Sequence, residues 1–261
     1  MKLLGYNSIH MGLFFNHSKT LMLMQFRNTP VHLFFCLLVC NLFFTHMTAQ
    51  IQLNVGYGVL KTKPISFNQI IETYNQSFGN QLVTAMKPLN SLEGIHGEVA
   101  FSEEFFSIGF EWQNLTRDLK NQVKNGAIEE IHTLHYANDM LSLHAGMMFM
   151  RNFGVGITGD YNIIQAKKNV STNKDVSTSL LSTNQWSSRF YLHFNIPLDD
   201  YMAIAIRPYV RTPWNSIDYA PVKNQLGLAA SDNGRSQDKK IDFGIQLILQ
   251  SFLSPRPESD Y

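Results

Sequence analysis

The stretch Phe106-Ser107-Ile108-Gly109-Phe110-Glu111-Trp112-Gln113 alternates without a break. The first residue of each pair is large and apolar, and the second is small or polar. A period of two marks a strand with two unlike faces. One face carries Phe106, Ile108, Phe110 and Trp112; the other carries the carboxylate of Glu111.

The pattern recurs on both sides. Upstream, Ile51, Leu53, Val55, Tyr57 and Val59 alternate with Gln52, Asn54, Gly56 and Gly58, and Ile95, Gly97, Val99 and Phe101 with His96, Glu98 and Ala100. Downstream, Leu141, Leu143, Ala145, Met147 and Phe149 alternate with Ser142, His144, Gly146 and Met148. Phe153, Val155, Ile157, Tyr161 and Ile163 follow, then Trp186, Phe190, Leu192, Phe194 and Ile196. The last two runs are Met202, Ile204, Ile206 and Val210, and Ile241, Phe243, Ile245, Leu247 and Leu249. Eight strands of about ten residues result, the length at which a tilted strand crosses a bilayer.

The connections set the topology. Short ones lie at Glu103-Glu104, at Arg151-Asn152 and from Pro197 to Asp200; long ones run 61–93, 116–139, 165–185 and 215–239. Long and short alternate strictly, so an up-and-down ring gathers all short turns at one end and all long loops at the other. The sequence therefore predicts an all-β fold, an eight-stranded antiparallel up-and-down transmembrane β-barrel, with short periplasmic turns and long outer loops. Closure matters because an open edge in lipid leaves backbone groups unpaired.

Before the first strand the chain changes character. Residues 1–50 hold three basic side chains, Lys2, Lys19 and Arg27, and no acidic one. The apolar block Val31 to Phe44, followed by Thr45-His46-Met47-Thr48-Ala49-Gln50, has the layout of a secretory signal peptide and is too short to span a bilayer. Residues 1–23 are expected to be an upstream extension, 24–50 the signal peptide with cleavage after Ala49 or Gln50, 51–252 the barrel and 253–261 a tail. Both cysteines, Cys36 and Cys40, fall in the removed block, and Val39 before Cys40 argues against a lipid anchor. Removing Lys2, Lys19 and Arg27 from the 21 basic residues leaves 18 against 20 acidic ones, a net charge of −2 in place of +1. Only 16% of residues are charged, against about 25% in soluble domains. This balance excludes a polybasic nucleic-acid binder, and the cysteine count excludes a disulfide scaffold.

Aromatic residues are placed as two girdles would require. By strand direction Trp112, Trp186 and Trp214 fall near the long-loop end, and Phe101, Phe106, Phe149, Phe153 and Phe194 near the short-turn end.

On these grounds the mature chain resembles the small outer-membrane β-barrel proteins of Bacteroidetes-type bacteria. The residues that carry the resemblance are the Thr48-Ala49-Gln50 exit, the eight alternating strands and a cysteine-free barrel. Its architecture is similar to the OmpA membrane domain and OmpX, without a second domain. The resemblance implies a cell outer-membrane location and contact with outer-membrane lipid and lipopolysaccharide.

The second face of the strands points into the barrel. It predicts a lumenal charge network of His96, Glu98, Glu111, His144, Asp160, Arg189, Arg207, Arg211 and Asp242, with His193 beside it. Counting back from the short turns sets His96 opposite Glu111 and His144 opposite Asp160. It leaves Arg189 and Arg207 to find carboxylates elsewhere, at Glu98 or Asp242. Eight strands enclose only enough space for side chains, so a filled interior is expected over a gated pore.

Other functions compete. Ser142-Leu143-His144 places a hydroxyl and an imidazole on one face, as a lipid-modifying enzyme would need, but both groups point away from lipid. No catalytic residue is assigned. His132 and His135 sit on opposite faces of a strand, and no CxxC, HExxH or P-loop pattern occurs, so neither metal nor cofactor is expected. Gly154-Val155-Gly156-Ile157-Thr158-Gly159 has the GxGxxG spacing but reads as strand glycines under a crowded lumen, not as a nucleotide loop. A soluble lipocalin-like barrel is disfavoured, because its apolar face would be the inner one. In the first long loop, Ser66 is expected to cap a short helix burying Phe67, Ile70, Ile71 and Tyr74. The segment 169–184 is expected to be a mobile Ser/Thr/Asn-rich loop, and Ser231-Asp232-Asn233-Gly234-Arg235 a turn. The resulting expectation is a non-enzymatic, monomeric surface protein that meets ligands through its loops and binds no nucleic acid.

Overall fold

The computed structural model describes residues 50–228, except Glu104 and Arg151, and residues 237–254. The proposed extension, the signal peptide and its cleavage site, both cysteines, the 231–235 turn and the tail from residue 255 lie outside the described residues.

The main strands are β1 (Gln50–Lys61), β3 (Ser91–Ser102), β4 (Phe106–Asn125), β5 (Ile128–Met150), β6 (Phe153–Val170), β7 (Asn173–Pro197), β8 (Met202–Pro213) and β11 (Asp242–Phe252). Each pairs antiparallel with the next, and β1 pairs with β11, Gln52 opposite Phe252 and Lys61 opposite Phe243. The eight strands thus form a closed ring. Between them stand helix α1 (Ile65–Gln76), the short strand β2 (Leu82–Thr84), the bridge strands β9 (Ile217–Asp218) and β10 (Gln237–Asp238), and helix α2 (Ala220–Gln225).

Two of the four expected long loops are strand. β4 to β7 run for 20, 23, 18 and 25 residues, about twice the length of the other four. The 116–139 loop is a hairpin closed by a tight turn at Gly126, whose φ of 65° is a left-handed conformation that glycine adopts without strain. The 165–185 loop is likewise strand apart from a short turn, so most of the expected mobile segment is paired.

The physical reason is that the alternation continues but changes sense. Low on β4, Ile108, Phe110 and Trp112 face out while Glu111 and Gln113 face in. Higher up, Thr116, Asp118, Lys120 and Gln122 face out, while Leu115, Leu119 and Val123 are buried inside. On β5 the outward row passes from Leu141 and Leu143 to Asp139, His135 and Thr133. The inward row passes from His144 and Ser142 to Met140, Tyr136 and Leu134. The lower storey is apolar outside and polar inside; the upper storey is the reverse.

The upper storey has an ordinary hydrophobic core. The long strands supply Leu115, Leu119, Leu134, Tyr136, Ile164 and Leu181, and the loops beyond the shorter strands fold over to cover them. α1 contributes Phe67, Ile70, Ile71 and Tyr74, all buried. Phe67 meets Tyr136 and Tyr219 at ring-centroid distances of 5.1 and 5.3 Å, and the two tyrosine hydroxyls are 2.9 Å apart. Burial pushes the Tyr136 hydroxyl up to about 12. Asn68 and Asn75, two turns apart on α1, each bond both the N–H and the C=O of one residue in the extended chain, Leu89 and Met86, at 2.8–3.0 Å.

Ser66 does not cap α1. The N-cap position is Pro64, and no side chain of the helix's own start bonds its amides. The Asp238 carboxylate accepts from the Ser66 N–H at 2.9 Å and from its hydroxyl at 3.2 Å. A carboxylate at a helix N-terminus also meets the favourable end of the helix dipole, so the loop before β11 supplies the cap.

Candidate functional site

The lower storey is built by parity: in each strand the residues at odd or at even positions turn inward. His96, Glu98, Glu111, His144, Asp160, Arg189, Arg207, Arg211 and Asp242 are all inside, each at 5% exposure or less. His193 joins them. Their outward neighbours are open: Leu143 is 68% exposed and Phe243 61%. Trp112, Trp186 and Trp214 are exposed on the outside near the change of sense, with Trp186 stacked on Trp214 at 6.3 Å. Phe101, Phe106 and Phe194 are exposed lower down, and Phe153 lies between Phe149 and Phe194 at 6.2 and 5.4 Å.

The cross-strand partners differ from the expected ones. Glu98 stands opposite Glu111, and His96 opposite Gln113. His144 stands opposite Thr158, and Asp160 opposite Ser142. Both registers are shifted by two residues. The β5–β6 register is irregular between Met148 and Met150, while in the β3–β4 hairpin pairing resumes at Ser102–Ser107. A shift of two keeps every side chain on its face, so the interior keeps its members and changes its couples.

Two guanidinium centres organise the lumen. Arg189 donates to Glu111 at 2.8 Å, to Asp160 at 3.0 and 3.1 Å, and to Ser142 at 2.9 Å. Asp160 also accepts from Thr158 and Ser187. Arg207 makes a two-pronged pair with Glu98 and donates to His193 Nδ1 at 2.9 Å. Asn54 donates to Glu98 at 2.7 Å and Gln246 to Glu111 at 2.8 Å. Higher up, Arg211 pairs with Asp242 and reaches Asn162 at 3.3 Å. Charges this deeply buried persist only when paired and hydrogen-bonded. Parity places Asn54, Asn162, Ser187 and Gln246 inside, but their bonding to the ions comes from neighbouring strands, which sequence does not show.

The Ser142–His144 pair does not form a nucleophile–base couple: Ser142 Oγ accepts from Arg189, and among the described residues neither ring nitrogen of His144 has a hydrogen-bond partner. The upper-storey histidines part as the spacing requires. His132 faces in, 2.7 Å from the Tyr74 hydroxyl, and His135 faces out, 2.7 Å from Asp118. Burial lowers His132 below its ordinary value; Glu130 opposes this and Lys168 adds to it.

No protein-family model matches the chain, and no curated protein sequence matches it. Among solved structures it is similar to Ail, the attachment invasion locus protein of Yersinia pestis, at 9% identity and a TM-score of 0.44, over 79% of this chain and 99% of that one. The Ail complex with the heparin analogue sucrose octasulfate gives 10% identity and 0.43 over the same shares. The translocator domain of the autotransporter NalP from Neisseria meningitidis gives 9% identity and 0.30, over 85% of this chain and 94% of that one. The all-β barrel assignment rests on the strand pairing of the chain itself, an eight-membered antiparallel ring in up-and-down order.

Proposed function

We propose that this chain is an integral outer-membrane β-barrel, of the small OmpA- and OmpX-like kind found in Bacteroidetes-type bacteria, with a structural or surface-interaction role and no catalysis. One observation carries the reading: a closed ring whose exterior is apolar all round its lower storey while its charges are sealed inside. In water that belt would be an apolar patch far beyond the few hundred Å² that monomers expose. In lipid it is the required surface, and closure leaves no unpaired edge. The spanning segments are then residues 51–59, 95–101, 106–112, 141–149, 153–163, 186–196, 202–210 and 243–249.

The change of sense marks the outer surface of the bilayer. The upper storey, with its hydrated outer wall of Asp118, Lys120, Gln122 and His135, stands in the external medium. This wall and the loops above it are where a surface ligand would be met, and the aromatic girdles and lipopolysaccharide adjoin it below. A conducting pore is the weaker reading, because Arg189, Arg207 and Tyr209 are buried across the interior at 4% exposure or less.

The test is heat-modifiable gel migration of the membrane fraction, combined with trypsin treatment of intact cells. A barrel that resists SDS until boiled, and is cut near Lys124 at the β4–β5 tip, supports fold, location and orientation together. A chain soluble without detergent overturns the proposal. Stable conductance in planar bilayers that responds to Arg207 substitution would favour the pore.

A further inference from the structure

We propose that Glu98, Glu111 and His144 form a site for one divalent transition-metal ion of the zinc class inside the barrel. Their ligand atoms all lie within 4.8 Å of one another. They come from three neighbouring strands: Glu98 on β3 faces Glu111 on β4, Glu111 faces Ser142 on β5, and His144 is the next inward residue along β5.

Two observations favour a cation here. The first is the imidazole. His144 is 3% exposed, and among the described residues neither ring nitrogen has a hydrogen-bond partner; Nε2 stands 3.9 Å from Glu98 Oε1. Buried polar groups nearly always have a partner, and a neutral imidazole beside two carboxylates has one ring nitrogen whose lone pair can meet a cation held between them. The second is the charge count. Among the described residues the lumen holds four buried carboxylates, Glu98, Glu111, Asp160 and Asp242, against three guanidiniums, Arg189, Arg207 and Arg211. The fourth negative charge is left either to a proton on His96, 3.4 Å from Glu98 and 3.3 Å from Glu111, or to a bound cation. With His96 neutral, a divalent ion that brings one hydroxide supplies that single positive charge.

The donor set fits this class of ion. One imidazole and two carboxylates are nitrogen and oxygen ligands of the kind zinc takes, with positions left for water. Zinc bond lengths put tetrahedral donors roughly 3.3 Å apart, so His144 and Glu98, now 3.9 Å apart, close by about 0.6 Å on binding and no pair by more than about 1.5 Å. The surroundings are those of a supported site. Arg207 and Arg189 fix the two carboxylates, and His96 lies 3.4 Å from Glu98 and 3.3 Å from Glu111. Outer partners of this sort orient metal ligands. Gly109 clears the space for the ring: a Cβ there would stand 2.6 Å from His144 Cε1.

The protein extracted in detergent and stripped with a chelator is titrated with Zn²⁺ against a chromophoric competitor, dialysed and analysed for metal. One zinc per chain is expected. It should be kept when His132 and His135 are both changed to Ala, and weakened about tenfold or more in His144→Ala. Zinc K-edge absorption on the unmodified protein gives an answer even where that variant fails to fold: one imidazole and otherwise oxygen ligands are expected. The proposal is overturned if no zinc survives dialysis, if it is lost only with His132 and His135, or if the spectrum shows no imidazole. A proton on His96, between the two carboxylates, would then be what balances the lumen.

Discussion

A Cβ placed on Gly156 would stand 2.2 Å from Cζ and Oη of Tyr191, so the phenol ring lies on bare backbone. The two residues are cross-strand partners. The arrangement is repeated at Gly244, whose absent Cβ would meet Tyr209 at 2.1 Å across the β8–β11 pairing. Arg207 lies over the Tyr191 ring at 5.3 Å and Arg189 over the Tyr209 ring at 5.4 Å. Each stack runs backbone, ring, guanidinium, carboxylate. The tyrosines hold the arginines at a set height, with a cation–π attraction added to the ion pair.

Gly156→Ala should therefore lower stability by about 1–3 kcal/mol through overpacking. The control is Gly159→Ala, where a Cβ meets nothing within 4 Å, and which should be close to neutral. Urea unfolding in lipid vesicles measures both. Equal effects would show that the ring does not depend on the glycine.

Arg189→Met should be far more damaging, by about 3–5 kcal/mol, because it strands the buried carboxylates of Glu111 and Asp160. Combining it with Glu111→Gln and Asp160→Asn should recover most of the loss. If the triple variant is no better than the single one, the guanidinium matters for its shape and not for its charge. The same unfolding assay decides.

The inside of the barrel was legible in the sequence because strand parity assigns faces without knowledge of partners. Glu98, Arg207 and Asp242 needed only their positions in an alternating run. Partners were not legible. The expected His96–Glu111 and His144–Asp160 couples depend on where pairing resumes after a turn, and two residues' difference there moves the couple without moving the face. The upper storey was misread for another reason. Leu119 and Val123 continue the run of Glu111 and Gln113, but polar and apolar have exchanged sides, so a search for apolar residues facing out ends at Trp112. Only the α1 face of Phe67, Ile70, Ile71 and Tyr74 hinted that something apolar lay above.

Truncating that face should separate the two storeys. Phe67 is fully buried, and Phe67→Ala should cost the upper storey about 3–5 kcal/mol. Protease should then cut between residues 62 and 90 in folded protein, while heat-modifiable migration persists. Loss of both together would show one cooperative unit.

The upper storey should also loosen in acid. His132 has its protonation held below the ordinary histidine value near 6.5 in the fold, so it is neutral there, and the unfolded segment binds the proton first. Stability is full above that value and falls as pH drops below it. Protection factors of α1 amides, exchange rates corrected for the intrinsic pH dependence, should fall between pH 7 and pH 5, and His132→Gln should flatten the dependence. An unchanged slope in that variant would assign the effect elsewhere.

The exchange of sides along β4 to β7 also constrains how the protein is made. In the outer-membrane reading proposed above, a completed upper storey, wet on its wall and packed with rings at its centre, is too wide and too hydrated to be dragged through hydrocarbon. The hairpins must cross as thin, unassembled ribbons and find Phe67 and Tyr219 only afterwards. On that reading maturation is sequential: the ring, sealed by the β1–β11 pairing, forms first, and the cap condenses on the far side as a separate event with its own rate.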